Sequence, residues 1–322
     1  MLQKFKQIVL STTDRAGMKL LAFLKQRYPQ YSAKAIKRAI DAGKCTVNGR
    51  IETFSTALLK KGDRVQIALV EEKRKELKVT ILYEDAYLLI CNKPAGLVSE
   101  KVPTGNLQLI HRLDKETSGA ILLAKSTKAF EAMKALFIKK EVHKDYLALV
   151  EGRVKSKEGE ISNFLGKKRE YEGQSIWGSV HPKKGLRAVT VWKCLKAAPQ
   201  ASLLLCSPLT GRTHQLRVHF SEMGHPILGD IQYGKRSNAP RQLLHAYRLR
   251  FCHPFTKQEI EVTAPIPEDF VEALQTLDMA HFVELFCKEQ KKSSPCEGEK
   301  DVNVKKARKR GELGHQRGEL SS

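Results

Sequence analysis

From Val79 to Thr263 the chain is a succession of short apolar runs with strand character and too few helices between them to wind a parallel sheet. The runs are Val79–Tyr83, Tyr87–Asn92, Gly119–Lys125, Lys144–Val150, Ala188–Lys193, Ser202–Ser207, Leu243–Phe251 and Ile260–Thr263. Helical spacing appears over Thr127–Lys139 behind the capping residue Ser126, over His214–Met223, and over Pro267–Leu277. Parallel sheets need strand–helix–strand alternation, which is scarce here. The expected fold class is α+β, with a mixed, largely antiparallel sheet.

The segment before this sheet reads differently. Residues 1–70 hold 14 Lys and Arg against four Asp and Glu, the densest positive charge in a chain whose formal charge is +22. Met18, Leu21 and Leu24 fall on one helical face ahead of Tyr28-Pro29. Ser32 then suits the N-cap of a second helix ending at Asp41. On that helix Ile36, Ala39 and Ile40 form an apolar stripe, while Lys34, Lys37 and Arg38 face away, and Gly43 fits a left-handed C-terminal turn. Cys45–Val47, Asn48-Gly49 and Ile51 read as a tight hairpin. A charged run, Glu71–Lys78, reads as a linker to the sheet. Such an excess of cations draws polyanions by releasing counterions, which makes nucleic acid the leading partner class and an anionic membrane surface the second.

The remaining composition narrows the classes. Seven cysteines are scattered singly without Cys-x-x-Cys or metal-ligand spacing, as in a reducing compartment. No apolar run approaches the ~18 residues of a spanning helix, and Ile8–Leu10 is too short for a signal-peptide core. The expectation is a soluble, cytoplasmic protein with no membrane contact. Residues 288–322 carry almost no aliphatic side chains, so they cannot offset their ordering entropy and are expected to form a disordered basic tail.

Chemistry concentrates in two polar clusters. His111-Arg112-Leu113-Asp114-Lys115-Glu116-Thr117-Ser118-Gly119 lies in a turn just before an apolar strand. A carboxylate beside arginines stays ionised at neutral pH, ready to act as nucleophile, base or stabiliser of positive charge. The plain alternative is an ion-paired surface turn, and the cluster alone leaves both open. Thr210 to His219 enters a helix from a glycine turn. In it Arg217 could pair with a carboxylate, and His214 could be a base, a cap or a surface residue. Tyr146, at a strand start, has the plain reading of a core residue. Gly229-Asp230-Ile231-Gln232-Tyr233-Gly234-Lys235 has the spacing of a phosphate loop, but Arg236 stands where Ser or Thr is required.

Together these stretches resemble the RluA-type pseudouridine synthases. The matching segments are 81–98 (ILYEDAYLLICNKPAGLV), 111–126 (HRLDKETSGAILLAKS), 142–152 (VHKDYLALVEG), 207–234 (SPLTGRTHQLRVHFSEMGHPILGDIQYG) and 243–254 (LLHAYRLRFCHP). The N-terminal segment resembles the S4 RNA-binding domain through SAKAIKRAIDAGKCTVNGR. The resemblance implies an RNA-uridine isomerase organised as an S4-like domain over 1–72, a catalytic domain over 73–287 and the tail over 288–322. It implies Asp114 as the essential carboxylate, Arg217 as its buried ion-pair partner, and Tyr146 as the residue stacking on the extruded uracil and sitting near C5. Leu216, Arg112 and His111 would contact substrate, with Arg112 filling the space of the extruded base. Lys34, Lys37, Arg38 and Lys44 would hold phosphates. No cofactor or metal is implied. The implied partner is structured RNA, large-subunit ribosomal RNA before transfer RNA, bound by a monomer. One departure stands out: many members carry His-Pro after the segment 93–98, where this chain has Ser99-Glu100, so the loop 99–109 is expected to shape substrate choice differently. A non-catalytic RNA-binding factor of the same fold is the rival reading.

Overall fold

The computed structural model describes residues 6–11, 16–29, 31–69, 77–102, 105–171, 174–234, 239–293 and 301–302. It divides into two compact units, Met1–Glu76 and Leu77–Ser322.

In the first unit, strand β1 (Lys6–Ser11) precedes helices α1 (Leu20–Arg27) and α2 (Ala33–Asp41), the short strands β2 (Cys45–Val47) and β3 (Arg50–Ile51), and strand β4 (Arg64–Leu69). The sheet order is β1-β4-β2-β3, all antiparallel. Ser32 caps α2 by accepting from the Ala35 N–H at 3.0 Å. Gly43 follows at φ +68°, and Asn48 and Gly49 turn the β2–β3 hairpin at φ 53° and 81°. Ile36, Ala39 and Ile40 are buried with Leu20, Leu24 and the β4 residues Val65, Ile67 and Leu69. Two details depart from expectation. Met18 lies not on the first helix but in a two-residue strand paired with Leu59, and Leu20 takes the buried place beside Leu24. The linker run, apart from Leu77 and Lys78, lies outside the described residues.

The second unit contains strands β5 (Val79–Glu84), β6 (Leu88–Lys93) and β7 (Ser118–Ala124), then helix α3 (Thr127–Lys139). Strands β8 (His143–Glu151), β9 (Glu158–Tyr171), β10 (Gln174–Ser179), β11 (Leu186–Ala197) and β12 (Ala201–Pro208) follow, then helix α4 (Gln215–Glu222). Strands β13 (Leu244–Cys252) and β14 (Glu259–Thr263) and helices α5 (Glu268–Thr276) and α6 (His281–Ser293) complete it. Among the described residues the unit forms one twelve-stranded sheet whose main path runs β10-β9-β11-β12-β8-β13-β7-β6-β5. The α+β expectation with a mixed, mostly antiparallel sheet holds.

Alternation along β7 divides the core. Ala120, Leu122 and Ala124 pack with Ala129 and Met133 of α3, while Ile121 and Leu123 pack with Leu97, Val102 and Leu113. Strand β8 divides likewise: Leu147 and Leu149 meet Phe270, Leu274, Phe282 and Phe286 of α5 and α6, and Ala148 and Val150 meet Leu216 and Phe220 of α4. Helix α4 is thereby set against one face of the sheet and the C-terminal helices against the other.

Two elements escaped the sequence reading. The hairpin β9–β10 is rich in charge and glycine, but β9 is held by eight-residue pairing with β11, and Gly159 lies flat against the Trp192 ring, where a Cβ would come within 2.7 Å. Helix α6 continues to Ser293, past the expected end of the folded chain at Cys287, because Tyr247 and Phe286 pack edge to face and the Tyr247 hydroxyl donates to Glu289 at 2.7 Å. Of the expected tail beyond Ser293, Asp301–Val302 pairs with β5; the rest lies outside the described residues. Among the described residues no helix is long and apolar enough to cross a membrane.

One junction holds this sheet together. Among the described residues β7 and β13 make its single parallel pairing, Ser118 beside His245 and Gly119 beside Ala246. Gly119 sits at φ +115°, and a Cβ there would lie 2.1 Å from the Ala246 carbonyl oxygen. Backbone contact this close admits no side chain. Gly119→Ala should cost more than ~3 kcal/mol in urea denaturation, against ~1 kcal/mol for Gly62→Ala, which has positive φ (+86°) but nothing within 4 Å of its Cβ.

Candidate active site

The turn that carries Asp114 is fastened on all sides. Thr117 N–H closes it onto the Asp114 carbonyl at 3.0 Å. Ser99 grips the preceding residue twice: its hydroxyl donates to the Leu113 carbonyl at 2.8 Å and accepts from the Leu113 N–H at 3.0 Å. Beneath the turn Lys93 is fully buried, its ammonium donating to the carbonyls of Leu97 (2.7 Å), Lys115 (3.2 Å) and Pro94 (3.2 Å). Burial lowers the Lys93 pKa to about 8. Arg241 reaches the Glu116 carbonyl at 2.9 Å and is itself locked by two bonds to Asp269 at 2.6 and 2.8 Å, so α5 helps to set the turn. Gln242 donates to Thr117 Oγ1 at 3.0 Å, and Ser118 Oγ donates to His245 Nδ1 at 2.9 Å.

The carboxylate itself is 27% exposed. Arg217, on the first turn of α4, donates from Nη1 to its Oδ2 at 3.3 Å. The expected pair is therefore present, but it is not the guanidinium's main engagement. Arg217 Nε and Nη2 form a fork on Asp230, at 2.6 and 2.9 Å, and Nη2 also reaches Gln232 Oε1 at 3.0 Å. Asp230 is 1% exposed. A buried guanidinium needs such a partner to remain charged; burial works against Arg217, and the Asp230 bonds more than restore its basicity. Asp230 sits behind Gly229, at φ +79°, where a Cβ would meet the Arg241 carbonyl oxygen at 1.9 Å. The stretch tested in the sequence as a phosphate loop is thus the holder of Arg217. Its signals were a glycine turn and an acid within the same matching segment as Arg217.

Tyr146 and Leu216 share one cluster, which forms the apolar side of the site. Tyr146 pairs with Ala246, opposite Gly119, just after a bulge between Asp145 and Tyr146. Burial, and next the charge of Asp114, push its phenol well above the ordinary value. Its neighbour Asp145 serves the sheet instead, bonded to Arg248 at 3.0 Å and Ser207 at 2.6 Å. His214 approaches Asp114 from the other side: its Nε2 is 3.9 Å from Oδ1.

The other expected contacts lie apart from the carboxylate. Arg112 is 72% exposed and pairs with Glu100 at 3.5 Å, so the departure Ser99-Glu100 touches the two residues that lead into Asp114. His111 accepts from the Leu122 N–H at 3.1 Å and stacks on Phe137 at 5.5 Å, which commits that nitrogen to the sheet. Lys37, Arg38 and Lys44 are exposed in the first unit, Lys37 pairing with Asp41 at 3.3 Å; the side chain of Lys34 lies outside the described residues.

Comparison with known proteins decides the family. Residues 87–222 match the family model described as RNA pseudouridylate synthase. The "Ribosomal large subunit pseudouridine synthase C" of Vibrio vulnificus is 34% identical over 309 residues, covering 84% of this chain and 96% of the relative. The chain belongs to the RluA-type RNA pseudouridine synthases. The protein of the same description from Escherichia coli strain K12 is 32% identical over 310 residues, again 84% and 96% of the two chains. Among solved structures, "Human RNA Pseudouridylate Synthase Domain Containing 4" is 27% identical with a TM-score of 0.51, covering 62% of this synthase and 92% of that chain. The synthase is accordingly an RNA-uridine isomerase, which removes the non-catalytic alternative.

Two buried imidazoles, His219 and His245, and the half-buried His111 make the fold acid-sensitive. Burial lowers His111 to about 3, and His219 and His245 to about 4. Each is depressed below the ~6.5 of an unfolded histidine. Their contribution to stability is present above ~6.5 and is lost as the pH falls toward the folded values, because only the unfolded chain then takes up the protons. The urea midpoint should decline between pH 6.5 and 5, before ordinary carboxylates titrate, and His245→Gln should make that decline shallower.

Proposed function

We propose that Asp114 is the essential carboxylate of this synthase and that it acts on a uridine extruded from its RNA. The reading rests on one observation above all: a carboxylate on a fully tied turn, with Oδ2 held by Arg217 at 3.3 Å and Oδ1 without a comparably short bond among the described residues. Pseudouridine formation breaks the N1–C1′ bond, turns the uracil and joins C5 to C1′; the C5 proton is lost and N1 gains one. Oδ1 is the atom available to the sugar. It either adds to the ribose C1′ and is displaced when C5 bonds there, or stabilises a cationic sugar while the 2′ proton is removed and then returned as the C5–C1′ bond forms; both routes need the same anchored carboxylate.

Tyr146 supplies the stacking face for the turned uracil. Since burial and Asp114 disfavour its phenolate, it works near C5 as a neutral phenol and not as a standing base. Leu216 closes the apolar side. Arg112, exposed at the rim, fills the gap left by the extruded base, with Glu100 restraining it in the free enzyme. His111 fastens the strand after the turn. Extrusion costs a few kcal/mol and least for unpaired nucleotides, so substrates are uridines in loops or weakly stacked stems.

The substrate RNA is large-subunit ribosomal RNA, bound by a monomer. The name of the Vibrio vulnificus relative and the S4-like pattern of the first unit favour it over transfer RNA. Lys34, Lys37, Arg38 and Lys44 of the S4-like unit supply sequence-independent affinity through phosphate contacts, while the catalytic unit selects the uridine.

Asp114→Asn should abolish tritium release from 5-tritiated uridine RNA while RNA affinity stays within about twofold of the parent. An Asn variant that still releases tritium would remove the carboxylate from the mechanism. Affinity should drop by roughly tenfold or more between 50 and 200 mM salt. Lys37→Glu with Arg38→Glu should weaken binding and its salt dependence without slowing single-turnover chemistry.

A further inference from the structure

The Tyr233 phenol has one proton to give and two lone pairs to offer. The Trp177 backbone N–H, from β10, donates to it at 3.0 Å. The 2.8 Å contact with His214 Nδ1 takes the Tyr233 proton in the tautomer that turns the ring N–H, and not a lone pair, toward the Asp114 carboxylate. An imidazole that accepts at Nδ1 and is neutral carries its proton on Nε2. Burial disfavours the charged ring at His214, with Asp114 opposing. Nε2 is the nitrogen 3.9 Å from Asp114 Oδ1.

The same tyrosine also meets the other donor to the carboxylate. The Arg217 guanidinium carbon lies 4.9 Å from the Tyr233 ring centroid, and the His214 ring meets Tyr233 edge to face at 5.5 Å. Tyr233 thus touches both groups that address Asp114, one for each oxygen. His214 is held in place by more than this bond, since its backbone lies at φ 56° and its carbonyl accepts the first α4 bond, from Val218 N–H at 2.9 Å.

We propose that His214 and Tyr233 form a positioning pair: the Tyr233 hydroxyl fixes the proton of His214 on Nε2, and that N–H orients the free oxygen of Asp114 toward the ribose. The inference rests on Asp114 being the essential carboxylate. A separation of 3.9 Å is beyond a hydrogen bond in the free enzyme, and catalytic contacts of this kind tighten when substrate enters. The pair acts through Asp114, so it governs the rate of chemistry and leaves RNA affinity alone.

Single-turnover rates and RNA affinity of the full chain provide the test. His214→Phe keeps a ring but no N–H and should lower the rate constant about tenfold with RNA affinity within about twofold. His214→Gln, whose amide nitrogen falls near the place of Nε2, should restore most of that loss. Tyr233→Phe keeps the ring beside Arg217 and removes only the hydroxyl; it should slow the reaction to a similar degree. The double variant with both Phe residues should be no slower than His214→Phe, because the two residues act as one unit. The pair is refuted if His214→Phe reacts at the parental rate, if His214→Gln is as slow as His214→Phe, or if the two losses multiply. Should His214→Phe fail to fold, Tyr233→Phe against His214→Gln carries the comparison: a slow Tyr233→Phe beside a near-parental His214→Gln supports the pair, and any other order refutes it. Asp114→Asn, run in parallel, separates the two readings. If it is inactive while the His214 variants are unaffected, only the pair fails; if it is active, the carboxylate reading itself fails.

Discussion

A guanidinium taken out of water has to be paid for in bonds, and Arg217 is where this fold meets that demand. Two short bonds to a buried Asp230 satisfy most of it. What is left over, one Nη1 donor at 3.3 Å, goes to Asp114. This division explains how a carboxylate can be oriented by a cation without being neutralised into an inert ion pair.

The turn around Asp114 shows the complementary arrangement for the backbone. Residues on either side are fastened by Ser99, Lys93, Arg241, Gln242 and His245, which come from different elements. Charged side chains are used here as donors to carbonyls, Lys93 and Arg241 above all. Such bonds hold the backbone of a loop rigidly while leaving the Asp114 side chain to a separate donor, Arg217.

Much of this was legible in the residues. The apolar runs located eight strands because alternation and β-branched content follow directly from burial on a sheet, and Ser126 and Ser32 marked helix starts by their capping chemistry. The hairpin β9–β10 was not legible, since its charges and glycines follow from pairing and from contact with Trp192, neither of which is local. The site divides in the same way. Asp114, Tyr146, Leu216 and Arg217 were named by the family resemblance, their own patterns leaving plainer readings open, and the fold brings them together. Asp230 and Tyr233 looked like parts of a failed phosphate loop, Ser99 stood out only as a departure from the family pattern, and Lys93 and Arg241 looked ordinary. Their importance lies in partners up to 125 residues away along the chain, which no window of sequence reveals.

The parallel junction at Gly119 and Ala246 has a consequence for how the protein comes into being. The seat of Asp114 is completed by Arg241, His245 and Asp269, long after residue 114 in the order of synthesis. A chain made from its N-terminus finishes its cationic first unit early and acquires a fully fastened Asp114 turn among the last features of the fold. Fragments ending before Asp269 would carry the turn at residue 114 without the Arg241–Asp269 lock that sets it.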